Sequence, residues 1–290
     1  MKVVTCLMLL ACGVAVPCLA NSHEVNWPVR EKETIQKTLT LSGAPMRVIV
    51  DNVFGYVHVT GTSGSEVRMT ARKSIRAESD SDLQEAKKEI SLDATEKPGT
   101  VSVYYNAPWR CNGSHEGCHN DARRFYEVVF DIDIEVPRGA RLVISTVNGG
   151  DIHVQKTEGD FEIKDVNGGI DMTDVGGSGE VDTVNGPVTV RFARNPAGPT
   201  SFKSVNGELN VYFQPGFAAN LQFKTMNGEV YTDFDVTQRA GMAVQPEHKD
   251  GKFIYRSNGF RTGTAGNGGP ALSFDTLNGN IRIHDATKGN

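Results

Sequence analysis

The sequence predicts an all-β fold: a single-chain β-solenoid of roughly 20-residue coils with Asn-Gly corners, plus one short helix in the N-terminal half. Three observations carry that reading. A tetrapeptide resembling Thr-Val-Asn-Gly recurs six times, and apolar and polar residues alternate on both sides of it. The stretches between copies hold a second set of turn residues, as in "VGGSG" from Val175 and "RNPAGP" from Arg194.

The repeated pairs are Asn148-Gly149, Asn167-Gly168, Asn185-Gly186, Asn206-Gly207, Asn227-Gly228 and Asn278-Gly279, spaced by 19, 18, 21, 21 and 51 residues. Four residues before each Asn stands an apolar side chain: Ile144, Ile163, Val181, Phe202, Phe223 and Phe274. The next residue is polar: Ser145, Lys164, Asp182, Lys203, Lys224 and Asp275. Beyond the Gly, apolar residues return at Ile170, Val188, Leu209, Val230 and Ile281, and two places on at Met172, Val190, Val211 and Ile283. The first copy carries one extra residue, which moves its equivalents to Ile152 and Val154.

Period-two alternation around a fixed turn describes two half-buried strands. A type I′ hairpin at each Asn-Gly would make an antiparallel meander. It would leave unexplained why the Thr, the Val and the apolar positions recur together. Stacked coils place equivalent residues about 4.8 Å apart, so that Asn side chains can hydrogen-bond from coil to coil. The Gly is expected to serve each corner through positive φ, which it adopts without a Cβ clash.

A degenerate copy precedes these six. In "RVIVDNVFGYVHVTG", Gly55 takes the place of the corner Gly and Phe54 that of Asn, which puts Val48, Val50, Val57 and Val59 on inward positions. A helix follows, with Ser81 and Gln84 as its capping pair and Leu83, Ala86, Lys87 and Ile90 on one face. Strands are expected around Val101 to Val103 and from Tyr126 to Val136, with Asp131, Asp133 and Glu135 outward. The chain thus divides into a signal peptide (1–20), an N-terminal segment (21–44), a β-rich half with one helix and a cysteine loop (45–140), and the Asn-Gly repeats (141–285). The repeats are interrupted by an insertion at about 233–269.

The leader sets the expected compartment. Lys2 precedes an apolar run from Val3 to Leu10, and Cys18-Leu19-Ala20 closes it in the manner of a cleavage site. Cleavage near Ala20 predicts an exported protein, periplasmic, cell-surface or secreted; "LLAC" ending at Cys12 keeps a lipoprotein signal as the alternative. No apolar run is long enough to span a bilayer. With 30 basic and 35 acidic residues the net charge is −5, which argues against nucleic acid as a partner.

The repeated T-V-N-G, the "IDIEVPRGARL" from Ile132 and the closing "GNGGPALSFDTLNGNIRI" resemble the "putative adhesin" family of exported bacterial β-solenoid proteins, a domain of unknown function. The resemblance covers most of residues 45 to 285. It implies a surface or envelope role and brings no catalytic residues. The "WRCNGSHEGCHN" insert and the excursion from about Asp233 to Gly269 depart from the family pattern.

Chemistry-bearing residues gather in that first insert. Cys111, His115, Cys118 and His119 are numerous enough for zinc, but their spacing fits no common zinc pattern and an exported chain favours a Cys111–Cys118 disulfide. "GGSGEVD" from Gly176 resembles a calcium nonapeptide, yet it occurs once and its acid, Asp182, falls one residue late. No metal and no cofactor are expected. His58, His153 and His284 sit singly on strands and read as surface residues. A carbohydrate-active enzyme would need paired acids on one face, whereas the outward columns mix charges. Tyr105, Trp109 and Tyr126 flank the cysteine loop, and with His115 and His119 they are the candidate binding residues; packing the N-terminal half is their alternative role. The expected function is non-enzymatic, an adhesin-like binding or structural role toward an unknown surface protein or glycan. A carbohydrate-active β-helix enzyme and a self-associating envelope-stress or scaffold component are the alternatives.

Overall fold

The computed structural model describes residues 27–110, 125–238, 247–249, 252–255 and 261–288. The chain is all-β with a single short helix among the described residues, and its strands form two large mixed sheets of 12 and 11 strands. The two strands flanking each Asn-Gly do not pair with each other. Gly179–Asn185 lies in the 11-stranded sheet and Val188–Phe192 in the 12-stranded sheet, so the antiparallel meander is excluded.

Equivalent strands of different copies pair in parallel and in register. Phe161–Asp165 lies beside Gly179–Asn185 with Ile163 opposite Val181, and Val188–Phe192 lies beside Leu209–Phe213 with Val190 opposite Val211. The apolar positions of both sheets face each other and are fully buried, including Val48, Val50, Val57 and Val59 of the degenerate copy. Phe202, Phe274 and Phe223 stack with centroids 5.1 and 5.6 Å apart.

The order of the copies is not the order of the chain. Ala271–Asn278, from the sixth copy, pairs on one side with Thr200–Asn206 and on the other with Ala219–Asn227. The last copy therefore slots between the fourth and fifth. Its partner strand Ile281–Asp285 does the same between Leu209–Phe213 and Val230–Thr232. In this order the outward column reads Ser145, Lys164, Asp182, Lys203, Asp275, Lys224. Its charges alternate, whereas chain order would set Lys203 against Lys224. Lys203 approaches Asp182 at 3.7 Å and Lys224 approaches Asp275 at 3.4 Å.

Both ends of the stack change to antiparallel pairing. At one end Val29–Thr40 pairs antiparallel with Glu66–Ala77, which pairs antiparallel with Tyr126–Pro137. At the other, Val236–Gln238, Lys252–Tyr255 and Arg261–Ala265 from the insertion pair antiparallel with the fifth copy or with each other. The insertion supplies terminal strands to both sheets. An antiparallel strand does not present the repeat pattern to a further copy, so these strands end the parallel stack.

The helix spans Asp80–Glu89 and its cap is Ser79, whose hydroxyl accepts from Asp82 N–H; Ser81 lies in the first turn. Leu83 and Ala86 are buried as the pattern requires, and Ile90 is buried at the C-cap. Lys87, on the same face, is exposed and reaches Glu31 at 2.7 Å. Among the described residues the buried lysine is Lys73, 7% exposed, whose ammonium donates to Ile90 O.

Candidate functional site

Each corner is built from three groups that act between copies. The Asn side chains form one ladder: Asn167 donates to Asn148, Asn185 to Asn167, Asn206 to Asn185, Asn278 to Asn206 and Asn227 to Asn278, all at 2.7–2.8 Å. Two residues earlier, a buried hydroxyl donates to the corner Gly carbonyl of the neighbouring copy. These bonds run from Thr146 to Gly55, Thr183 to Gly168, Ser204 to Gly186, Thr276 to Gly207 and Thr225 to Gly279.

The glycines serve close approach instead of positive φ. Only Gly149 of the six has positive φ, at 86°. At Gly186, Gly207, Gly228 and Gly279 an added Cβ would lie 1.9–2.2 Å from the corner carbonyl oxygen of the adjacent copy. In four copies the residue before the Asn is exposed, Val184, Val205, Leu277 and Met226 at 38–57%, whereas Val147 is partly buried against the core.

Cys111, Cys118, His115 and His119 lie outside the described residues, but the base of their segment is described. Arg110 holds both carboxylate oxygens of Asp51 at 2.9 and 2.8 Å, and its guanidinium lies 4.4 Å over the Tyr104 ring. Ser145 donates to the same Asp51. Trp109 packs partly buried against Tyr105. On the far side the chain rejoins the sheet at Phe125, 46% exposed, whose carbonyl accepts from Glu78 N–H.

Tyr105 and Tyr126 do not offer surface rings. Alternation in Thr100–Asn106 and Tyr126–Pro137 turns them inward, to 1% and 8% exposure. Tyr105 donates to Val128 O and meets Phe130 edge-on at 5.4 Å, while Tyr126 donates to Glu89. Packing the N-terminal half is what both do.

The histidines also depart from expectation. His284 is buried at 6% exposure, stacked on Tyr212 at 4.3 Å, with Nδ1 3.8 Å from Asp233; burial holds its pKa below the usual imidazole range. His58 and His153 are register partners on adjacent parallel strands, so neither is alone. Sequence reasoning held the signal, since both follow the corner in the same repeat column of neighbouring copies. Around them stand Tyr56, stacked on His58 at 4.0 Å, and Asp133, 3.3 Å from His58 Nδ1. Arg72 donates to Asp133 at 2.9 Å, and burial pushes the Asp131 carboxyl up. Asp133 and Glu135 face Arg72 and Arg68, which accounts for the acidic strip as cross-strand pairing.

Among the described residues, no three His, Cys, Asp or Glu side chains converge closely enough to hold a metal by themselves, and no helix is long and apolar enough to cross a membrane.

No family model matches the chain, and no curated protein matches it. Solved structures similar to it include a "putative cell adhesion protein" from Clostridium sporogenes, at 14% identity and TM-score 0.37 over 88% of this chain and 100% of that one. A "putative adhesin" from Bacteroides fragilis has 11% identity and TM-score 0.33 over 87% and 97%. A "putative lipid binding protein" from Parabacteroides distasonis has 12% identity and TM-score 0.26 over 86% and 96%. At this level of similarity none of the three lends this chain a function.

Proposed function

We propose that the chain is an exported, non-enzymatic binding protein in which a β-solenoid of Asn-Gly coils carries the cysteine loop, around Trp109 to Asn120, as its contact surface. The observation that carries this reading is the mount of that segment. Arg110 is clamped by a bidentate ion pair with Asp51 and a cation–π contact with Tyr104, one residue before Cys111. A segment fixed at its base loses less entropy when it meets a partner. A Cys111–Cys118 disulfide would tighten it further, and peptide mapping of non-reduced protein checks for the linked pair.

The test is deletion of Asn112 to Gly117, with binding to bacterial surface glycans and proteins as the readout. The folded deletion, with an unchanged β-rich circular dichroism spectrum, should lose partner binding; retained binding overturns the assignment. Parallel in-register pairing of copies and the continuous Asn ladder support the solenoid description.

A second reading, self-association, is favoured by the outward apolar column of Val184, Val205, Leu277 and Met226. Sedimentation of the wild type against Met226→Glu distinguishes it: a concentration-dependent assembly abolished by the substitution supports this role.

A further inference from the structure

On the outer face of the 12-stranded sheet, the degenerate copy and the first full copy each place an imidazole in one row. His58 and His153 are register partners, with ring centroids 4.7 Å apart. Carboxylates extend the row on both sides, Asp133 opposite His58 and Asp171 opposite His153. We propose that His58 and His153 bind a divalent transition-metal ion of the zinc and copper class, with Asp133 as the positioning carboxylate behind His58.

The chemistry follows from what each atom is free to do. Asp133 Oδ1 lies 3.3 Å from His58 Nδ1, so a neutral His58 that turns its Nδ1–H toward this carboxylate leaves the Nε2 lone pair for a metal. A carboxylate behind a ligating imidazole fixes its tautomer and raises its basicity. Asp133 is itself held by Arg72 at 2.9 Å and by the Tyr56 hydroxyl at 3.3 Å. Tyr56 covers one face of the His58 ring at 4.0 Å, which restricts its rotation.

The His58 side chain remains 40% exposed, so an ion can reach it. Asp131, Asp133 and Asp171 stand in the surroundings of the pair, with Arg72 held by Asp133, Arg191 3.9 Å from Asp171 and Lys32 acting on Asp131 as the cations that face them. Imidazoles on neighbouring strands are spaced to share one ion at zinc–nitrogen distances of about 2.0–2.1 Å, and imidazole nitrogen suits zinc and copper alike. With two protein donors the other positions belong to water, so the site is an exchangeable one and not a structural zinc.

The experiment titrates Zn²⁺ alone into the full chain by isothermal calorimetry. The background variant removes the other soft ligands except the buried His284, with His23, His115, His119 and His248 changed to Ala and Cys6, Cys12, Cys18, Cys111 and Cys118 to Ser. Its circular dichroism spectrum verifies the fold. One Zn²⁺ should bind per chain, and binding should be lost in His58→Ala and in His153→Ala. It should weaken at least about tenfold in Asp133→Asn. Long-range ¹H–¹⁵N spectra of the background protein give a readout without further substitution: a His58 and a His153 nitrogen should shift with zinc while those of His284 stay in place. Absence of zinc binding by the background protein, or binding unchanged by both His substitutions, overturns the proposal.

Discussion

Asp165 occupies the corner position at which the other copies carry Thr or Ser, and it gives the protein a titration of unusual sign. It is 3% exposed, and neither carboxyl oxygen has a well-formed hydrogen bond. Its Oδ2 and the Gly150 carbonyl oxygen both lie within 2.6 Å of the point where a Cβ on Gly168 would sit. Ser204 Oγ and Gly186 O lie 2.9 and 1.9 Å from the corresponding point at Gly207, and there Ser204 donates to the carbonyl. A protonated Asp165 can donate to Gly150 O in the same way; an ionised one cannot. Burial pushes its pKa up to about 7, only partly offset by the Val166 and Asn167 backbone N–H groups.

Because the folded pKa lies above the unfolded value near 3.9, the stabilising contribution is fully present below about pH 4. It is lost as pH rises through about 7, at about 1.4 kcal/mol per pH unit. The loss reaches about 4 kcal/mol at most. Asp165→Thr should therefore match the wild type near pH 4 and exceed it by about 2–4 kcal/mol at pH 8. The assay is denaturant unfolding of both proteins from pH 4.5 to 8.5, taking the difference at each pH so that Asp182, which burial pushes up to about 6, cancels. A difference that does not change with pH, or a less stable Thr variant at pH 8, would refute the reasoning.

Two further outcomes follow from the stacking. Gly186→Val should destabilise by about 1–3 kcal/mol or more, because its Cβ would meet Gly168 O at 2.2 Å; Gly139→Val, with nothing within 4 Å, should change little, and thermal melting separates them. Asp275→Lys should place three lysines in a row with Lys203 and Lys224 and lower stability by about 1 kcal/mol at low salt. Added salt should erase most of that loss, so an effect that persists in 1 M salt would sink the electrostatic account.

Much of the interior was legible in the sequence because burial on a strand is a local property. A residue's face is set by its parity within the strand, so Ile163, Val181, Phe202 and Val190 could be placed inward from alternation alone. The Asn column was legible for the same reason. The role of its glycines was not, since steric approach to a carbonyl in another copy leaves no mark in a residue's own neighbourhood. The helix cap is Ser79 and not Ser81, two residues earlier than the sequence predicts, because both offer the same hydroxyl and it is Ser79 that meets Asp82 N–H and the Asp82 carboxylate.

What the sequence determined by itself was the rung: which residues face in, where the corner falls and which groups line it. Only the tertiary structure decided the order of rungs and what that order brings together. Near-identical copies can stack on any neighbour, so local pattern does not rank the arrangements. The sixth copy lies beside the fourth across 72 residues of chain. The arrangement that alternates Lys203, Asp275 and Lys224 leaves the antiparallel insertion strands to end the parallel stack. His58 and His153, 95 positions apart, share a repeat column that the sequence shows, and parallel pairing of their strands makes them neighbours.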